Sequence, residues 1–368
     1  MGRILQEFLE LVQINSDTRN ERQMADLLTK KLLEIGCQVT EDDVGEKIGG
    51  NTGNLYAVLE GGLPGSVLLS AHMDRVPGGH DIKPVIQGDT LVSSGETILA
   101  ADDLAGVCAV LDGLRRLKAA GEPHCTVEIL FTVSEEAGLK GSRNMDYSKI
   151  RSQHGYAFDS SGRVGRLIVG APSKANIEVR FYGKSAHAGN EPEAGIDAAK
   201  LCGRFLAALD SGRLDPETVS NFPIVRTGST ATNIVCDFAQ VLGEARSRDH
   251  SKLEAYLQYI HNTAAEIEAG SGGKIEVDTQ VEVYGFRITK DMTVVAKAAA
   301  AMQTLGITPN VSVGGGCMDA NWFNRNGVQA IGVATGYMNN HTTNELLHIP
   351  DLSMSGRLAE ALIKEYSK

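Results

Sequence analysis

Five stretches of this chain run an apolar segment into side chains that bind cations, and that repetition constrains the fold more than any other feature. Val67-Leu68-Leu69-Ser70-Ala71 leads into His72-Met73-Asp74, and Ile98-Leu99-Ala100-Ala101 leads into Asp102-Asp103. The run ending at Val133 leads into Ser134-Glu135-Glu136, Gly155-Tyr156-Ala157-Phe158 leads into Asp159, and Ala330-Ile331-Gly332-Val333-Ala334 comes shortly before His341. Buried strands read as apolar runs of roughly 4–8 residues, and in open α/β sheets ligands collect beyond the carboxyl ends of such strands. The pattern therefore predicts two imidazoles and several carboxylates at one edge of one sheet. That donor set suits a pair of divalent ions, with zinc the first choice and cobalt or manganese as alternatives.

At 368 residues the chain is long for a single domain, and its pattern changes twice. Up to about residue 170, strand-like and helix-like segments alternate, as in a layered α/β sheet. A helix is expected from Asn20 to about Glu34, stopped at Gly36, and another from Asp103 to about Ala119, which puts Asp102 and Asp103 at a helix N-terminus. From about Ser173 the style shifts to period-two strands. Ala175–Tyr182, Ala231–Val235, Asp237–Arg246 and Lys274–Val283 read as strands, with helices at Gly195–Leu209 and Lys252–Ala269. That βαββαβ order predicts a ferredoxin-like α+β domain with two helices on one face of an antiparallel sheet. Beyond about Arg287 the first style returns, with helices at Met292–Leu305 and from Asp351. The expected architecture is an α/β domain with a mixed sheet, residues 1–173 and 286–368, interrupted by an inserted α+β domain, residues 174–285.

Spacing suggests roles. On a strand His72 and Asp74 would share a face, so that Asp74 could orient the imidazole. Adjacent glutamates at a strand end point in different directions, so one of Glu135 and Glu136 can ligate metal while the other faces the water to be activated. Gly138 and Gly141 argue for a tight turn just after them. One bridging carboxylate, with an imidazole and a further carboxylate per ion, would hold two ions roughly 3.5–4 Å apart. His80, His124, His154, His250, His261 and His348 read as surface or packing residues, with His348 the one rival to His341.

The ordered motifs Ala71-His72-Met73-Asp74, Ala101-Asp102-Asp103-Leu104-Ala105-Gly106, Ser134-Glu135-Glu136-Ala137-Gly138, Phe158-Asp159 and Asn340-His341-Thr342-Thr343-Asn344-Glu345 resemble those of the co-catalytic zinc exopeptidases. That family includes peptidase T, carboxypeptidase G and aminoacylase, and the chain is most similar to its peptidase T-like branch over essentially its whole length. The resemblance implies that Asp102 bridges two zinc ions per subunit, with His72 and Asp159 completing one site and Glu136 and His341 the other. It makes Glu135 the general base and Asp74 the residue that positions His72. It casts the inserted domain as a lid and dimerisation domain. There, His187 in Gly183-Lys184-Ser185-Ala186-His187-Ala188-Gly189 would stabilise an oxyanion, often across a homodimer. Asn233 and Arg246 fall at substrate-anchoring positions, and a guanidinium suits a carboxylate, although Arg248 competes with Arg246. The implied activity is removal of the N-terminal residue of tripeptides, with N-acyl amino acid hydrolysis or carboxypeptidase action as alternatives. Gly314-Gly315-Gly316 resembles a turn that brings backbone close to substrate. Two departures stand out: Leu104 where relatives usually carry Lys, and Cys317-Met318 where one small residue is expected before Asp319.

A formal net charge of −11 and the lack of any Lys/Arg block speak against nucleic-acid binding. No apolar stretch approaches the roughly 18–20 residues of a membrane span, and the amphipathic Met1–Val12 lacks the core of a signal peptide. The six scattered cysteines, with no CxxC, read as thiols in a reducing cytoplasm, and Cys317 as a small packing residue.

Overall fold

Four of the apolar runs become neighbouring parallel strands. Thr126–Thr132, Ser66–His72, His154–Ser160 and Gln329–Ala334 lie side by side in an eight-stranded sheet, in a computed structural model that describes residues 2–368. These strands are covered on both faces, which is why they read as unbroken apolar runs. Leu55–Leu59 and Gln38–Glu41 extend the sheet antiparallel on one side. Arg166–Ile168 and Asn310–Ser312 extend it on the other.

Parallel neighbours need a crossover, and the helix Ala101–Ala120 supplies it between Ser66–His72 and Thr126–Thr132. The helix presses hard on the sheet. A Cβ at Gly106 would sit 2.3 Å from the carbonyl oxygen of Phe158, so glycine here lets the helix start beside Asp159. Asp102 and Asp103 differ from the expected first helical turn. Both have non-helical dihedral angles, and Asp103 acts as a cap, its Oδ1 accepting the Gly106 N–H at 3.2 Å. Asp102 thus lies outside the regular helix and is aimed by its loop. A second, four-stranded sheet runs Tyr337–Met338, Leu346–His348, Thr90–Ser93 and Pro84–Gln87, tying the hairpin that carries His341 to the segment before Asp102.

The chain forms two compact units, one from residues up to Ala171 together with Phe286–Lys368, the other Pro172–Gly285. The second unit has a five-stranded antiparallel sheet in the order Gly212–Arg213, Thr218–Thr227, Phe238–Ser247, Ser173–Tyr182, Lys274–Val283. Ala175, Ile177, Val179 and Phe181 alternate inward and pack under the helices Ala198–Ala208 and His250–Glu268. One expected strand is corrected: Ala231–Val235 is a loop with a single bridge, Ile234 to His187, and Thr218–Thr227 is the strand instead. Pro223 disguised it, since proline within a run argues against a strand. It is tolerated here at a bulge between Asn221 and Ile224, near the edge of the sheet. No helix among the described residues is long and apolar enough to cross a membrane.

Candidate active site

The loops beyond the strand ends share an uncommon backbone. Ala100, Ser134, Asn339 and His341 all have φ between 51° and 63°, the left-handed region that non-glycine residues avoid. Such residues cost of order 1–3 kcal/mol each and persist where surrounding structure holds them. Buried carboxylates do the holding. Glu345 accepts the N–H groups of Leu99, Ala100 and Asp102 at 2.8, 2.9 and 3.1 Å. Glu21 accepts Ser134 N–H at 3.0 Å. Asp74 accepts Glu135 N–H at 2.9 Å and Glu136 N–H at 3.2 Å, and Thr18 Oγ1 donates to it at 2.7 Å. Gly138, at φ 99°, closes the turn that presents both glutamates.

Asp102 stands at the centre of the cluster. Its Oδ1 lies 3.3 Å from His72 Nε2, and its Oδ2 lies 3.2 Å from His341 Nε2 and accepts Asn340 Nδ2 at 2.6 Å. His341 Nε2 is also 2.9 Å from Glu136 Oε1. The other nitrogen of His72 faces Asp74, 3.0 Å from its carbonyl oxygen and 3.4 Å from Oδ1, which fixes the ring. The strand ends at His72, so this contact comes from the turn of chain after it. Tyr337 donates to Asp159 Oδ1 at 3.1 Å. Two donor sets, His72/Asp102/Asp159 and Asp102/Glu136/His341, each gather within 4.8 Å and share Asp102; a third joins His72, Glu135 and Glu136. Imidazole nitrogens and carboxylate oxygens in this number fit two divalent ions such as zinc. The Glu135 carboxylate, buried beside them, accepts no hydrogen bond among the described residues.

Burial and crowding set the charges. Burial, then the neighbouring Asp102, pushes Asp159 up to about 8, and burial lifts Glu135 well above the usual carboxylate range. Burial acts upward on Asp102 too, but hydrogen bonds from His341 and His72 outweigh it and draw the group below its ordinary value. His341, bonded to Asp102 and Glu136, is raised to about 10. Divalent cations would favour the ionised carboxylates and neutral imidazoles of this set.

The cluster opens into a cavity of about 280 Å³ bordered opposite by the Gly314–Gly316 turn, Tyr337 and Arg166. Cys317 lines this cavity, whereas Leu104 is buried in the core. His348 caps the last helix, accepting Asp351 N–H at 3.3 Å, and stands apart from the cluster. The other three candidates belong to the second unit. His187 and Asn233 meet there: Ala188 N–H donates to Asn233 O at 3.0 Å, and both side chains are exposed. His187 Nδ1 accepts the N–H groups of Gly189 and Asn190, each at 3.2 Å, which assigns the hydrogen of the neutral ring to Nε2. Arg246 lies on the strand Phe238–Ser247, its Nε donating to Glu244 at 2.8 Å.

The family model for peptidase family M20/M25/M40 matches residues 68–365. The chain belongs to this family. A Bacillus subtilis protein, YqjE, itself uncharacterized, is 38% identical over 367 residues, which is 100% of this chain and 99% of that one. The crystal structure of aminopeptidase PepT from Bacillus cereus matches at a TM-score of 0.92 and 37% identity, covering 100% of this chain and 98% of the other. That of a tripeptidase from Staphylococcus aureus matches at 0.94 and 32% identity, covering 99% and 98%.

In this M20-family chain, sequence reading passed over buried residues that brace the cluster. Glu21, Asp319 and Tyr337 were not singled out. Asp319 is buried and accepts hydrogen bonds from Thr132 and Ser142. Only its place three residues after the glycine turn hinted at it. Glu345 and Asn340 were visible as members of the His341 motif, but their contacts to residues more than 230 positions away were not.

Proposed function

We propose that this chain is a two-metal exopeptidase that removes the N-terminal residue of tripeptides. The observation that carries the reading is Glu135: a buried carboxylate without a protein hydrogen bond, set among the donors of two metal sites. Its context is a family with full-length relatives named aminopeptidase and tripeptidase. In this reading His72 and Asp159 would hold one ion, Glu136 and His341 the other, and Asp102 would serve both. Divalent ions held there, zinc by preference, would supply polarisation of a scissile carbonyl and a lowered pKa for bound water. Glu135 takes a proton from the attacking water as its oxygen bonds to the carbonyl carbon. It then passes that proton to the amine nitrogen as the C–N bond breaks, releasing one amino acid and a dipeptide. Asp74 keeps Glu135 and Glu136 aimed through their backbone N–H groups.

The Pro172–Gly285 unit serves as lid and dimer contact. Its sheet ends on Lys274–Val283, a strand with an open outer edge among the described residues. His187, with its ring hydrogen on Nε2, donates to the oxyanion of a site on the partner subunit, Asn233 supports the same end of the substrate, and Arg246 takes a substrate carboxylate. The enzyme works in the cytoplasm.

The test is a product assay on metal-loaded protein with tripeptides, dipeptides and N-acetyl amino acids. Release of the N-terminal residue from tripeptides should dominate. Faster hydrolysis of the N-acetyl amino acids would replace this reading with that of a deacylase.

A further inference from the structure

We propose that Arg166 recognises a carboxylate of the substrate from inside the catalytic cavity. The inference rests on the reading of that cavity as a tripeptide site. Arg166 opens the short strand Arg166–Ile168 and borders the same cavity as Glu135 and Asp159. Its guanidinium is held from two sides: Nε donates to Ser312 Oγ at 3.1 Å, and Nη1 donates to the Ser161 carbonyl at 2.9 Å. The stem passes Gly162, where a Cβ would lie 3.4 Å from Arg166 Cδ.

Both partners of Arg166 are neutral, and no carboxylate lies within ion-pair distance of it among the described residues. Arg163, in the turn just before it, differs, since it pairs with Asp351. An arginine kept only for structure has no need to face a cavity with its charge uncompensated, and Nη2 makes no hydrogen bond with the protein among the described residues. The carboxylates of the cavity lie beyond ion-pair distance of it and, on the proposed reading, would hold the metals. A planar fork fixed at two donors and open at a third is built to take one carboxylate oxygen in a set orientation. Ser160 and Ser161 border the cavity on the same side, so the wall around the charge is polar.

A tripeptide can supply that carboxylate from its C-terminus or from an acidic side chain, and the experiment separates the two. Tripeptide analogues with the first amide reduced to CH2–NH resist cleavage, so their binding to metal-loaded protein can be measured by calorimetry without turnover. Three kinds of probe suffice: the Ala-Ala-Ala analogue, its C-terminal amide, and matched pairs of analogues carrying Glu or Gln at each position. Wild type should prefer the carboxylate in at least one matched pair by about 10- to 100-fold, the range of a charge-assisted hydrogen bond. Arg166→Met should flatten that ratio, and Arg166→Lys should restore part of it.

The pair that flattens identifies the source. A variant that weakens acid and neutral probes equally has lost only a structural tie, and unchanged ratios mean that Arg166 ignores the substrate; either result overturns the inference. If wild type binds none of the analogues, the tripeptide reading fails and takes the inference with it.

Discussion

Glu21 is buried where a carboxylate is least comfortable, and replacing it with glutamine should reveal the cost. Burial, followed by the charge of Asp74, raises its carboxyl from an ordinary 4.5 to about 7. Oε1 accepts Arg19 N–H at 2.9 Å, Ser134 N–H at 3.0 Å and Ser134 Oγ at 3.3 Å, while Oε2 is buried without a partner. Between those two values the unfolded chain has lost its proton and the folded chain keeps it. The folded state therefore binds more protons, and its stability falls as pH rises from about 4.5 to about 7. At about 1.4 kcal/mol per pH unit, moving from pH 5 to pH 8 costs the wild type about 2–3 kcal/mol through this group. Glu21→Gln keeps the shape and the Oε1 acceptor but cannot ionise. Relative to wild type it should gain about 2–3 kcal/mol over the same interval, or about 5 °C in melting temperature for a unit of this size. Thermal melts of both proteins, freed of metal with a chelator and followed by circular dichroism at pH 5 and pH 8, read this directly. An equal offset between variant and wild type at the two pH values would refute the argument.

Glu135→Gln removes the proposed base and none of the five proposed ligands, so elemental analysis should still find about two ions per chain while turnover falls by roughly 10²–10⁴-fold. His187→Ala should lose about 10²–10³ in turnover with metal retained. A hybrid dimer of these two variants should regain activity if His187 serves the partner's site and stay inactive if it serves its own. Metal loading must displace the protons held by His341, raised to about 10, and by Asp159, raised to about 8. Calorimetry at pH 7 in buffers of different ionisation enthalpy should therefore show net proton release on zinc binding, and affinity should weaken as pH falls. Zinc binding without proton release would contradict these assignments.

The cluster was legible because most of the proposed ligands lie at or just beyond the carboxyl ends of strands that sequence can recognise. A buried parallel strand has no wet face, so Ser66–His72 and His154–Ser160 announce themselves as apolar runs, and the residues at their carboxyl ends must lie at one edge of the sheet. Thr218–Thr227 was not legible, because Pro223 and the exposed Ile224 and Val225 look wrong for a strand unless the bulge and the edge are already known. Glu21 and Asp319 were hidden for another reason. An acidic residue in a loop or at a helix start normally faces solvent, and only the folded chain shows that these two are enclosed and hold backbone or hydroxyl donors. Arg166 was equally silent, since a cation's lack of a carboxylate partner is a property of three dimensions.

The clasp that Glu345 makes on Leu99, Ala100 and Asp102 sets a timetable for biosynthesis. Chains emerge N-terminus first, and early segments begin to fold while later ones are still being made. His72, Asp102, Glu136 and Asp159 all leave the ribosome before the Pro172–Gly285 unit, whereas His341 and Glu345 leave after it. Until Gln329–Ala334 docks, the strand His154–Ser160 has an open edge, and Asp102 lacks Asn340, His341 and Glu345 alike. A nascent or truncated chain would hold four of the five donors yet lack the carboxylate that sets the central one. Hydrolytic competence is thus deferred to the final stage of synthesis, when the last segment closes the sheet and the site together.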